Sequence, residues 1–251
     1  METLTLTRKE MACLLYALSR SSQISPLSIV QNSWRIRHQR EMEQGESMNA
    51  FIATSLSPVM ERMIKSGVNP AFSLHDIVSL GAHIEYTQFS VTSVQNWVKR
   101  DFKSFIGQPS EGKRYSLQQI ALFFIIEDLR STLDYESIRK YFGIIFREHS
   151  ERAAGMVEPL EFYAAYASLF EELDSRIKAV SGEQGDPIAR WDKLIDEIAY
   201  ENAAMHSSLT EQQQKALQSA LHVAIISVHT SSFHALARRY VNGMVFLHQL
   251  H

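Results

Sequence analysis

The sequence predicts an all-α chain: helical bundle segments around a central helix-loop-helix unit, with at most a small β-hairpin. Three observations predict it. Prolines and glycines number only 6 and 10 in 251 residues. Apolar residues recur at helical spacing almost everywhere. The densest cluster of breakers outside the helix ends, Phe102 to Arg114 with Gly107, Pro109 and Gly112, is long enough only for a small hairpin.

The first helix is predicted from Arg8 to Arg20, with Met11, Leu14, Leu15 and Leu18 on one face, and a second from Pro26 to Gln44, where Pro26 suits the first turn and Gly45 ends it. Arg35, Arg37 and Arg40 on that second helix are followed at once by Glu41 and Glu43, so they read as a solvated face. A third helix is expected from Glu46 to Ser66, bent near Pro58, and Gly67-Val68-Asn69-Pro70 breaks it. From Phe72 the helical pattern resumes, with Leu74, Ile77, Val78, Leu80 and Ile84 inward and Ser73 as cap.

The next helix starts near Ser90 or Thr92. It turns Val91, Val94, Trp97 and Val98 inward and leaves Thr92, Ser93, Gln95, Asn96, Lys99 and Arg100 outward. Amides, hydroxyls and two terminal cations are the groups that address base edges and phosphate oxygens. The breaker-rich loop then ends in Lys113-Arg114-Tyr115, which predicts a hairpin laying its cations along a duplex backbone. Ser116 and Gln119 form a capping box for a helix whose Leu117, Ile120, Ala121, Phe123, Phe124, Ile125 and Ile126 are too apolar for a surface, so it reads as a buried spine. Asp134 caps a shorter helix carrying Ile138, Tyr141 and Phe142. A short polar-faced helix, a basic loop and two apolar helices, in that order, is how a winged helix-turn-helix reads.

The stretch SVTSVQNWVKRDF followed by GKRYSLQQIALFFIIEDLRSTLDYESIRKYF resembles the DNA-binding domain of MerR-type bacterial regulators, and is closer to a bacterial domain family of unknown function with the same layout. The resemblance covers about residues 72–147. It departs from the MerR pattern at Gln95, usually Arg, and Asp101, usually Gly. It places Ser93, Gln95, Asn96, Lys99 and Arg100 on a recognition helix and Lys113, Arg114 and Tyr115 on the wing. It implies a sequence-specific regulator that binds double-stranded DNA as a homodimer.

Beyond Ser150 only pattern guides the reading. Helices are expected from Pro159 to Val180, from Pro187 to Ala204 with Asp186 as cap, and from Leu209 or Thr210 to about Tyr240, with SGEQGDP breaking the first from the second. Such a bundle serves self-association or the sensing of a small-molecule or protein effector. The aromatic stripe Phe162, Tyr163, Tyr166, Phe170 reads as core or dimer seam. His222 and His229 share a face, but no His-Glu-x-x-His pair accompanies them and Cys13 is the single cysteine, so no metal and no cofactor are expected.

Three units follow: an N-terminal helical segment over 1–70, a winged helix-turn-helix over 71–149 and a C-terminal bundle over 150–251. Charge divides with them, net +2 over residues 1–149 and net −5 over 150–251, so the acidic end does not suit phosphate. The lone cysteine, the absence of an apolar run approaching ~20 residues and an N-terminus without a leader pattern predict a cytoplasmic protein with no membrane partner. No phosphate-binding loop, nucleophile elbow or dinucleotide turn occurs, so no enzyme is expected. The expectation is a DNA-binding transcriptional regulator, and its rival is a protein-interaction module that has lost DNA contact.

Overall fold

The N-terminal segment is not purely helical. In a computed structural model that describes residues 2–19, 24–45, 49, 54–66, 69–146, 155–179 and 186–249, β1 (Glu2–Thr3) pairs in parallel with β2 (Thr54–Ser55). Leu6 continues this edge by exchanging backbone bonds with His83 and Glu85. Strands are therefore not confined to the wing. The expected helix over Glu46–Ser66 is corrected as well: Ser57 caps, and Pro58 begins, a new helix instead of bending an old one. Residues 46–48, 50–53, 67 and 68 lie outside the described residues.

Between the strands come α1 (Arg8–Leu18), closed at its start by a Thr7–Glu10 capping box, and α2 (Pro26–Arg37), whose Ser25 cap and Pro26 set its first turn. The chain breaks at His38 before α3 (Gln39–Glu43). His38 is buried, stacks on Trp34 and bonds the Trp34 carbonyl through Nδ1 at 2.8 Å. The Trp34 carbonyl also accepts the His38 amide at 3.1 Å, so ring and backbone share one acceptor where the helix turns, and the predicted single helix becomes two.

After α4 (Pro58–Lys65) and α5 (Leu74–Gly81) come α6 (Val91–Asn96), a π-helical turn (Trp97–Asp101) and α7 (Lys103–Ile106). α8 (Leu117–Leu129) is the spine: every residue from Gln119 to Leu129 is buried. At roughly 1.5–3 kcal/mol per buried large apolar side chain, such a helix is held by its neighbours on all sides. α9 (Tyr135–Ile145) starts on the Asp134 cap, whose carboxylate accepts the Ser137 amide at 2.7 Å. α10 (Pro159–Ala179) and α11 (Pro187–Ala204), with Asp186 as cap, follow the predicted bounds to within a residue. The predicted breaker at 181–185 lies outside the described residues. α12 (Glu211–Gln249) runs nine residues past the expected end. By length and composition it is apolar enough to cross a bilayer, though its first part is packed inside the bundle.

One buried cluster draws on all three expected units, from Leu4 to Val228. At its middle Arg8 of α1 donates three bonds to Asp128 of α8, at 2.8–3.1 Å, and a fourth to the Glu85 carbonyl, while the Tyr166 hydroxyl of α10 donates to Asp128 at 2.7 Å. α12 is tied to the turn after α8 by hydroxyls: Ser231 to Ser131 at 2.9 Å, and Thr132 against Ser227 at 2.6 Å. The spine is thereby clamped from both sides.

Candidate nucleic-acid interface

α6 begins with Ser90 accepting the Ser93 amide. Val94 and Trp97 are fully buried, so the opposite side of the helix faces solvent. Trp97 is the anchor that its spacing predicts. It stacks on Phe123 of α8 at 6.5 Å, meets Phe89 and Phe102 edge-on, and donates its Nε1–H to the Tyr135 hydroxyl at 3.0 Å. A ring locked on all sides fixes the axial rotation of its helix and with it the direction of the outward residues.

Of the residues expected to read bases, Asn96 is exposed, whereas Ser93 and Gln95 are half-buried. The Ser93 hydroxyl accepts a bond from Ser90 at 2.8 Å, which leaves it able to donate outward. Lys99 and Arg100 are exposed on the π-helical turn. Arg100 is bound to its neighbour Asp101 at 2.7 Å, and that bond holds the guanidinium above its ordinary pKa. The arginine side of the pair is open to solvent, so the bond contributes little to stability.

The wing is a four-residue turn. Glu111 and Arg114 exchange backbone bonds at 2.8 and 3.2 Å around Gly112, whose φ of 56° lies in the left-handed region that favours glycine. Next to it, Tyr115 and Phe72 form a second antiparallel bridge. Lys113 and Arg114 are exposed. Tyr115 is not: it is buried, edge-on to Phe123 at 5.5 Å, and burial raises the pKa of its hydroxyl. The expectation that Tyr115 contacts a ligand is thus corrected: Lys113 sits in the turn, and on the extended residues after it Arg114 points outward and Tyr115, its successor, inward. Phe123 therefore carries both elements, the helix through Trp97 and the wing through Tyr115.

Further cations join this surface. Lys103 is exposed on α7, and Arg139 of α9 donates to the Asp101 carbonyl at 3.3 Å. A hollow of about 260 Å³ beside the wing is lined by Arg62, Lys65, Asp76 and Arg114 among others, with Arg62 paired to Asp76. Among the described residues Lys99, Lys103 and Lys113 form no ion pair within the chain. Arg62 and Lys65 carried no readable signal, since they lie on a separate helix that only the fold brings to the wing.

The histidines are separated by function of place. His222 lies 2.9 Å from Asp192 and 3.7 Å from Asp196, while His229 is sandwiched by Phe170 and Trp191 at 4.6 and 4.9 Å. No group of three or more His, Cys, Asp or Glu side chains able to hold a metal occurs among the described residues. Phe162, Tyr163 and Tyr166 are fully buried in the common core.

A helix and a tight basic turn seated on one aromatic ring define this as a two-element cationic surface on an all-α scaffold. Residues 72–166 match the model of a family described as Domain of unknown function (DUF1836). That span starts at Phe72, which bridges to the wing, and ends at Tyr166, which bonds Asp128. The chain is also 27% identical over 242 residues to the "Uncharacterized protein YkrK" of Bacillus subtilis (strain 168), covering 95% of this chain and 97% of that protein. No solved structure matches.

Proposed function

We propose that the chain is a cytoplasmic, sequence-specific DNA-binding transcriptional regulator of bacterial type, acting as a homodimer through a MerR-like winged helix-turn-helix. The observation that carries the reading is the shared seat on Phe123: Trp97 and Tyr115 pack on one ring while Asn96, Lys99, Arg100, Lys113 and Arg114 stay exposed. In this reading α6 and the π-helical turn enter the major groove. Asn96, with Gln95 and Ser93, addresses base edges, and Lys99, Arg100, Lys113 and Arg114 hold phosphates. Arg62, Lys65 and Lys103 extend the phosphate contact.

Selection of bound fragments from a random duplex pool tests it. The selected site is expected to be two-fold, and its affinity to fall steeply with salt. The double variant Arg100→Ala and Arg114→Ala is expected to lower the salt slope by about 2, one per phosphate contact, with little change in which sequence is preferred. Enrichment of no sequence, or binding that ignores both salt and the two arginines, would refute the proposal. The Arg100–Asp101 pair is the observation favouring the rival, a protein-interaction module, because it occupies a cation that a duplex would need. That module would give the no-enrichment result.

A further inference from the structure

Past Ser231, α12 keeps only an edge contact with the body of the protein, through His234 and Arg238 beside Gln88. Up to Ser231 one side of the helix is buried, but none of the described side chains from Phe233 to His248 is. Its exposed side chains are nevertheless large and apolar. Phe233 is 59% exposed, Tyr240 70%, Met244 69% and Leu247 61%, with Leu236, Val241, Val245 and Phe246 comparably open. Water-facing apolar groups at this density are more than an isolated surface leucine, which needs no explanation.

Their spacing tells what covers them. Ile226, Thr230, Phe233, Ala237, Tyr240, Met244 and Leu247 are separated alternately by four and three residues. That is the 3.5-residue repeat of a helix packed along its length on another helix, and among the described residues no helix of the chain covers its exposed part. Ile226 is itself 41% exposed, so the seam starts on the bundle and continues into the free part. The seam side chains Ile226, Phe233, Tyr240, Met244 and Leu247, with the flanking Leu236 and Val241, expose roughly 700 Å² per chain, close to the roughly 800 Å² per partner that a stable interface buries. Val245 and Phe246 lie off the seam.

A bilayer fits less well. The uninterrupted apolar stretch is short: Asn242 and Gly243 interrupt it, Arg238 and Arg239 precede it, and His248 follows. From Tyr240 to Leu247 a helix rises only about 12 Å, whereas a hydrocarbon core is about 30 Å thick. Spanning it would require pulling Leu217, Leu221, Ile225 and Val228 out of the core.

We infer that residues 226–247 form a seam on which a second copy of this chain packs, helix against helix. The inference rests on, and deepens, the homodimer proposed above by naming the surface that makes it. Partner residues at the seam positions meet their counterparts as knobs into holes, and Ala237 and Gly243 let the two backbones approach.

Sedimentation velocity on the full chain without DNA tests it. The wild type is expected as two chains at micromolar concentration. The variant Phe233→Glu, Tyr240→Glu, Met244→Glu is expected as one, its self-association weakened roughly 100-fold or more. The off-seam variant Val245→Ser, Phe246→Ser should remain two chains. Far-UV circular dichroism of each variant checks that the helices persist. A wild type that sediments as one chain overturns the inference, and so does a glutamate variant that stays paired. A single-chain wild type that floats with phosphatidylglycerol vesicles overturns it in favour of a membrane surface. Because the measurement omits DNA, loss of the dimer with retained DNA binding rejects only this seam, and a dimer without DNA binding rejects only the proposed function.

Discussion

Replacing Asp128 by alanine tests the clamp at the centre of the fold. Arg8 and Asp128 have side chains 1% and 3% exposed. Burial by itself pulls the Arg8 pKa down, but Asp128 outweighs it and holds the guanidinium above its ordinary value, so the arginine stays charged. Without the carboxylate three guanidinium bonds vanish and a charge is stranded in the core. Breaking one partner of a buried pair costs about 3–5 kcal/mol. The Tyr166 hydroxyl also loses its acceptor, for about 1 kcal/mol more. The sum is a large share of the roughly 5–15 kcal/mol that holds a domain folded. The triple variant Arg8→Met, Asp128→Leu, Tyr166→Phe removes the charges with their cost of dehydration. It is expected within about 2 kcal/mol of wild type, because an apolar replacement of similar volume dispenses with the attraction and the penalty together. Urea titration followed by circular dichroism measures both. A single variant costing less than about 1 kcal/mol, or a triple variant less stable than the single one, would refute the argument.

Two further outcomes follow from buried geometry. A Cβ on Gly81 would lie 2.2 Å from the Phe89 ring, so Gly81→Ala must displace Phe89 from Trp97 and Phe124. A loss of about 1–3 kcal/mol is expected together with altered tryptophan fluorescence, and unchanged values in both would contradict the packing. Burial lowers the pKa of His229 between Phe170 and Trp191, against an opposing pull from Asp174 and with a small further lowering by Arg8. A histidine depressed in the folded state contributes full stability above the ordinary value of 6.5 and loses it as the pH falls below that value toward the folded pKa. His229→Phe should therefore flatten the decline of the melting temperature between about pH 7 and 5, and an identical decline in both proteins would count against the assignment.

Helix starts were legible at most of the side-chain caps. Asp186-Pro187, Ser116 with Gln119, Ser73 and Asp134 each begin a helix where their chemistry places it, because a cap is a contact over three residues and a sequence displays such contacts directly. The misreadings have the opposite character. β1 and β2 are two residues each and lie some fifty residues apart, too short to show a period of two. Ser57-Pro58 carries a cap signal as good as Asp186-Pro187, but it sits inside an apolar period that suggested continuity. The break falls at His38, whose ring folds back onto Trp34 of its own helix, a tertiary arrangement that no local pattern of residues displays.

The candidate surface was legible in one half only. Lys99, Arg100, Lys113 and Arg114 stand out as local charge, and Trp97 as a large residue on an apolar face, so their places followed from periodicity. Tyr115 did not, because the sequence cannot distinguish a tyrosine that faces a partner from one that faces the spine when both neighbours are polar. What decides is Phe123, eight residues on, whose ring is reached by the wing from one side and the helix from another. α8 is buried on every side and apolar over most of its length, so its sequence carries no mark of which phenylalanine serves as that seat. The consequence is physical: truncating Phe123 would loosen the helix and the wing together, whereas truncating any exposed cation removes one contact and leaves the alignment of the others intact.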